Sequence, residues 1–316
     1  MSRNEDTENE SIFFHYFKSA DFFFLMMIAG YLAARLKIIS RIFLDGLSAL
    51  IMKILLPVLV FANMMNGTSR SQLAQDFPIL FLSAAMYIAL IIIFALLAKL
   101  LRLPKERGQV FQAAFIFGNV GFIGIPLVMG ISPEHGAIYV ALMSIIDQGL
   151  LWTYGLYLTT PCEDTAAFSW KYFLNPALGA IALGIILLLC DIHLPEVVES
   201  SFLTIGDTAT PLSLIYIGGL LFFCNWKTVI RRKELYVGIL VKMICFPLLF
   251  CAAASLFTTN TDMVHVVSVL SGLPAMVTIA MFAQARHKEG EYALGMVLVE
   301  TVASLFTLTL VAWWLF

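Results

Sequence analysis

Charge is what this sequence has least of. Of its 316 residues only 13% are Asp, Glu, Lys or Arg, whereas 60% are hydrophobic and the mean hydropathy is +0.91. A soluble domain carries about 25% charged residues, so a large water-soluble enzyme is excluded and the chain falls in the membrane class. A basic excess is also missing. The formal net charge of -2 argues against nucleic acid as a partner. The five cysteines, Cys162, Cys190, Cys224, Cys245 and Cys251, show no C-x-x-C spacing. Most lie in apolar runs and read as small hydrophobes, so neither a structural disulfide nor a zinc site is expected. His15, His135, His193, His265 and His287 sit in tails, loops or helix ends, without metal-ligand spacing beside a carboxylate, so no metal is expected. No nucleophile, base and orienter group together, and no glycine-rich loop runs into Gly-Lys-Ser/Thr. The expectation is a protein that is not an enzyme and holds no cofactor.

Long apolar runs are what the sequence does have. A spanning helix needs about 20 mostly apolar residues. Ten segments qualify: roughly 20–36, 43–65, 77–101, 109–131, 136–159, 172–190, 201–224, 235–258, 264–285 and 292–315. No gap between them is long enough for a soluble domain. The tail 1–19 holds Glu5, Asp6, Glu8 and Glu10 against Arg3 and Lys18, unlike the basic start of a secretory signal. The first apolar segment is therefore expected to remain as a membrane helix. Alternate connections divide the basic residues unequally. One set holds fourteen: Arg35, Lys37, Arg41, Lys99, Arg102, Lys105, Arg107, Lys171, Lys227, Arg231, Arg232, Lys233, Arg286 and Lys288. The other holds Arg3, Lys18 and Arg70. Basic loops face the cytoplasm, so both termini are expected outside it, in a multi-pass protein of the plasma (inner) membrane.

The fourth segment contains Gly118-Asn119-Val120-Gly121-Phe122-Ile123-Gly124-Ile125-Pro126. Glycine and proline are poor in a helix interior. In membranes they can simply allow close packing or a kink. They can also mark a true break, whose freed backbone groups must meet protein or a water-filled cavity. A second interrupted stretch favours the break: Ser271-Gly272-Leu273-Pro274-Ala275, followed by Thr278, in the ninth segment. Pro57 and Pro211 lie 154 residues apart, and Pro126 and Pro274 lie 148 apart. Both offsets are about half the chain, so segments one to five and six to ten read as two copies of one unit. Five is odd, so the second copy must enter the membrane from the opposite side. That is the inverted-topology repeat of secondary transporters.

These residues resemble the auxin efflux carrier family. The likeness rests on Gly30-Tyr31-Leu32 before a basic turn, Leu55-Leu56-Pro57, the stretch Gly118 to Pro126, Ala209-Thr210-Pro211-Leu212-Ser213-Leu214 with Gly218, and Lys242 with Pro247. It covers nearly the whole chain, and Asn-x-Gly-x-x-Gly-x-Pro is its most specific part. The resemblance implies an all-α polytopic membrane protein of ten transmembrane helices, in two inverted five-helix repeats with broken helices 4 and 9 crossing. It implies small organic anions, mono- or dicarboxylates, as cargo, and a homodimer as the assembly. The short loop from Thr160 to Lys171 is similar to the bacterial branch. Glu300 departs from the pattern, which has a small hydroxyl or apolar residue there. The expected organisation is a tail 1–19, a first repeat 20–160, a linker 161–171 and a second repeat 172–316.

A charge at the bilayer centre costs about 2.5–3.5 kcal/mol on insertion scales. Lys53, Asp147 and Glu300 fall near the middle of their segments, with Gln148 beside Asp147. Two readings stand for the acids: a site for a coupling ion, H⁺ or Na⁺, or a structural ion pair with Lys53. Lys242 lies nearer an end, where its stem can snorkel. For anion transport, Pro126 and Pro274 would begin the second halves of their helices, whose N-termini attract a carboxylate. Asn119, Gly121, Gly124, Gly272 and Thr278 would complete the substrate site, with Lys53 as counter-charge. The alternatives are a cation/proton antiporter or Na⁺-coupled symporter on the same fold, and a membrane receptor that binds without turnover.

Overall fold

Hydrocarbon offers no water to backbone polar groups, so apolar runs of this length must close their hydrogen bonds internally. They do so as helices. The computed structural model describes residues 24–67, 76–124, 127–128, 132, 135–161, 176–192, 194–223 and 225–315. Its helices are α1 (Phe24–Arg35), α2 (Arg41–Ala62), α3 (Pro78–Leu100) and α4 (Lys105–Ile116). Next come α5 (Gly136–Leu150, continued by a π turn Leu151–Gly155 and Leu156–Thr159), α6 (Pro176–Leu189) and α7 (Glu196–Phe223). The last are α8 (Lys233–Ala254), α9 (Thr261–Ser271), α10 (Val277–Ala285) and α11 (Gly290–Leu315). Among the described residues there is no β-strand beyond one isolated bridge. By length and composition α2, α3, α7, α8 and α11 can cross a membrane, and α1, α9 and Gly179–Leu189 within α6 are shorter apolar helices.

Polarity is arranged for lipid. Phe81, Leu249 and Phe306 are exposed on the outside, whereas Asn119, Asp147, Lys242 and Glu300 are buried. The helices pack in two groups. In the first, α2, α6 and α7 associate, and α1 joins them through α7. A Cβ on Gly30 would strike the backbone of Ile215, and one on Gly218 would strike the backbone of Met27. These reciprocal glycines let α1 and α7 touch backbone to backbone, which is how helices gain contact where the solvent is as apolar as their side chains. Gly206 does the same for α7 against Leu59 of α2, with a built Cβ only 2.7 Å from its Cα. The second group contains α3, α4, α5 and α8 to α11. Phe94 stacks on Phe115 with ring centroids 5.1 Å apart, joining α3 to α4.

Pro57 and Pro247 each follow a π turn, Ile51–Leu55 in α2 and Val241–Cys245 in α8. Proline removes one donor, and the widened turn absorbs the mismatch without ending the helix. Each π turn carries one lysine, Lys53 or Lys242. Their environments are opposite. Lys53 is exposed, so it cannot be the internal counter-charge expected from hydropathy. Lys242 is fully buried, where its π turn packs against α11.

Candidate functional site at the helix crossing

α4 stops at Ile116, and Phe117 turns to an extended conformation with φ -94° and ψ 108°. α9 stops at Ser271, and the chain is non-helical until Val277. The two breaks meet. Asn119 donates its backbone N–H to Pro274 O at 2.8 Å, and Met276 donates to Phe117 O at 3.0 Å. Gly118 and Ala275 face each other in an antiparallel bridge. A Cβ on Gly118 would lie 3.0 Å from Leu273 Cβ, so glycine permits this approach. Each break therefore supplies the hydrogen-bond partners that the other lacks, as hydrocarbon demands. Beyond the bridge, Asn119 O accepts from Ile123 N and Gly124 N, both at 3.2 Å, starting the π turn Val120–Gly124.

The fourth segment thus leaves the helix at Phe117 to Asn119, at the start of the stretch Gly118 to Pro126 in which the break was expected. Pro126 lies outside the described residues. Pro274 pairs with Asn119, and the crossing relates the two halves by 157 positions, from Gly118 to Ala275. The offset of 148 between Pro126 and Pro274 is the expected length of the repeat, a different quantity from this pairing. The physical reason is that a freed backbone group needs a partner, and the partners sit opposite residues 117 and 119.

Around the crossing lie buried charges. Glu300, in α11, accepts the Ala275 N–H on Oε2 at 2.9 Å, while Oε1 has no partner among the described residues. Glu300 therefore holds the unwound backbone directly. Lys242 Nζ has no hydrogen-bond partner among the described residues and lies within electrostatic reach of both Glu300 and Asp147. Asp147, in α5, accepts from the Tyr87 hydroxyl of α3 and, at 2.8 Å, from Gln148 Nε2. Gln148 Oε1 in turn accepts from Trp152 Nε1 at 3.3 Å. Asn119 is also buried, and its Nδ2 donor is unpartnered among the described residues. A buried amide of this kind costs free energy until it finds an acceptor.

Of the residues singled out by sequence, Asn119 and Pro274 pair where the breaks meet, and Gly272 ends α9 against Pro247 of α8. Gly121 and Gly124 lie in the π turn, and a Cβ on Gly124 would come 2.8 Å from Leu270. Thr278 lies in the first turn of α10 and is buried. Asp147 and Glu300 share Lys242, not Lys53, as their common cation. Tyr87 was not singled out by sequence: one tyrosine in an apolar run reads as packing, and only its reach to Asp147 shows otherwise.

On the basic face a second polar cluster ties helix ends together. Lys288 is buried and donates to Gln109 Oε1 at 2.5 Å and to Thr160 O at 2.6 Å. Arg286 donates to Thr160 Oγ1 at 2.8 Å, and Arg107 pairs with Glu289 at 3.2 Å. The ends of α4, α5, α10 and α11 are thereby closed on that side. Among the described residues no three His, Cys, Asp or Glu side chains gather as metal ligands would.

A family model described as a membrane transport protein matches residues 17–168 and again residues 163–312. No curated protein matches the chain.

Proposed function

The chain belongs to this membrane transport protein family, the auxin efflux carriers, and on that premise we propose that it is a secondary carrier of small organic anions. One observation carries the proposal: where the two interrupted segments meet, a buried amide donor, Asn119 Nδ2, has no partner among the described residues, close in the chain pairing to the start of α10. The first N–H groups of a helix carry its positive dipole end. A carboxylate seated there would accept from Asn119 Nδ2 and from the first turn of α10, where Thr278 adds a hydroxyl. Glu300, fixed to Ala275 by one oxygen and, among the described residues, unpartnered at the other, would exchange the coupling proton or bind Na⁺. The repeats would cover 20–160 and 172–316, each crossing the bilayer five times in opposite senses.

Thermal unfolding of the purified protein against dicarboxylates, monocarboxylates, Na⁺ and pH tests this, together with uptake into proteoliposomes. The expected result is stabilisation by one class of carboxylate and uptake of the same class. A second reading has its own support: two buried carboxylates, Asp147 and Glu300, converge on one lysine. On that reading the ion itself is the cargo, and Na⁺ or pH would shift stability while no carboxylate did. Binding without uptake would indicate a receptor.

The fourteen-to-three division of basic residues supports the orientation in the inner membrane, with both termini outside the cytoplasm. A C-terminal tag should be accessible in intact spheroplasts. Protection of the tag until the membrane is opened would overturn both the orientation and the count of ten spans.

A further inference from the structure

Away from the crossing, a groove of about 480 Å³ opens between α1 of the first helix group and α11 of the second. Every lining residue is aliphatic or aromatic. The volume falls within the roughly 300–1,000 Å³ of small-molecule sites. α1 lines it with Met27, Ile28 and Tyr31, a single helical face. Arg35 is the next residue on that face, one turn beyond Tyr31, and is exposed. The opposite wall includes Trp226 and Ile230, on the short 3-10 helix Trp226–Arg231. That helix is seated on α11 where Gly295 admits it: a Cβ there would lie 2.5 Å from Val229. Trp226 turns its indole N–H to Leu221 O at 3.2 Å, leaving apolar ring surface to the groove. The same 3-10 helix presents Lys227 and Arg231 outward, followed by exposed Arg232 and Lys233. Glu234 is the single carboxylate in the stretch 225–236.

An apolar trough that ends at cations on both walls has the polarity of one kind of molecule. We propose that it binds an anionic phospholipid, with an acyl chain along α1 and α11 and the phosphate at Arg35, Lys227 and Arg231. The chain supplies only apolar contact, so selectivity comes from the headgroup. Basic residues at a membrane surface favour anionic over zwitterionic lipid. All three cations lie in the basic loops, so the lipid belongs to the leaflet on that face. Its seat joins one helix of each packing group. This inference concerns binding and does not depend on what the protein transports.

The test is native mass spectrometry and thermal unfolding of the full chain, exchanged into phosphatidylglycerol or into phosphatidylcholine with the same acyl chains. The expected result is one phosphatidylglycerol retained per chain, a melting temperature several degrees higher than in phosphatidylcholine, and about tenfold or greater preference. Arg35→Gln with Lys227→Gln and Arg231→Gln should abolish the preference. Val299→Trp, which fills the trough, should abolish retention, and Val302→Phe provides the milder filling if the tryptophan prevents folding. Equal retention of the two lipids, retention that survives the filling variants, or no retained lipid in the unaltered protein would each overturn the proposal.

Discussion

Asn119→Ala should leave a folded, stable protein that binds its anion at least about tenfold more weakly, a loss of about 1.4 kcal/mol or more. The expectation follows from which atoms Asn119 uses. Its backbone is committed: N–H to Pro274 O, and carbonyl to Ile123 and Gly124. Alanine keeps all of these, so the crossing should survive. The side-chain Nδ2 is buried and has no partner among the described residues, so truncation removes no donor bond to them. A purely structural side chain would give the reverse pattern, a lower melting temperature with unchanged affinity. Affinity from isothermal titration and melting temperature, measured on the same preparations, separate the two. Unchanged affinity in a stable variant would remove Asn119 from the anion site.

The second large effect is expected at Lys242. This lysine is fully buried, makes no hydrogen bond within the described residues, and lies within electrostatic reach of Glu300 and Asp147. Removing one member of a buried charge cluster typically costs about 3–5 kcal/mol, because the others are left uncompensated. Lys242→Met should therefore lower the melting temperature strongly and abolish uptake. Glu300→Gln alone still accepts the Ala275 N–H through its amide oxygen and leaves Lys242 with Asp147, so it should fold and bind. If Glu300 carries the coupling proton, that variant should lose pH-driven uptake. Combining Lys242→Met with Glu300→Gln should regain much of the stability lost by Lys242→Met alone, and the double-mutant cycle gives the coupling. A double variant no more stable than Lys242→Met would show that Glu300 is not the partner. Unchanged pH dependence in Glu300→Gln would take it out of the coupling step.

Helix positions were legible because hydropathy over about 20 residues is a local property. The fifth segment, expected at 136–159, is helical over those residues through its π turn. Azimuth was not legible. Lys53 and Lys242 both stand in a π turn ahead of a proline, and nothing within either sequence stretch says which one points inward. That is decided by what packs alongside, here α11 against the turn that holds Lys242. Composition made Lys53 look central because depth along a helix axis can be counted in residues, whereas the buried side of the helix cannot.

The break shows the same limit in another form. Pro126 is a strong local signal, yet the chain departs from helix at Phe117. The departure is stabilised by Pro274 and Met276, which no window around residue 117 contains. Tyr87 is similar: its partner Asp147 is 60 residues on. Asn119, Gly272 and Pro274 could be found because each is individually out of place in an apolar helix. Lys242 could have been found from its depth in α8, but a long stem near a helix end offered a simpler explanation.

The bridge between Gly118 and Ala275 also bears on how the protein is made. Synthesis delivers the first half long before residues 274 to 276 leave the ribosome. Until then Phe117 O and Asn119 N–H have no partner in the finished arrangement, and each unsatisfied group in hydrocarbon costs several kcal/mol. The early chain must keep this stretch wet, lend it to the insertion machinery, or coil it as a continuous helix that later opens. The meeting of the breaks thus cannot reach its final form until the second half has been made, and truncation before Pro274 deprives the first half of the contacts that hold its own interruption.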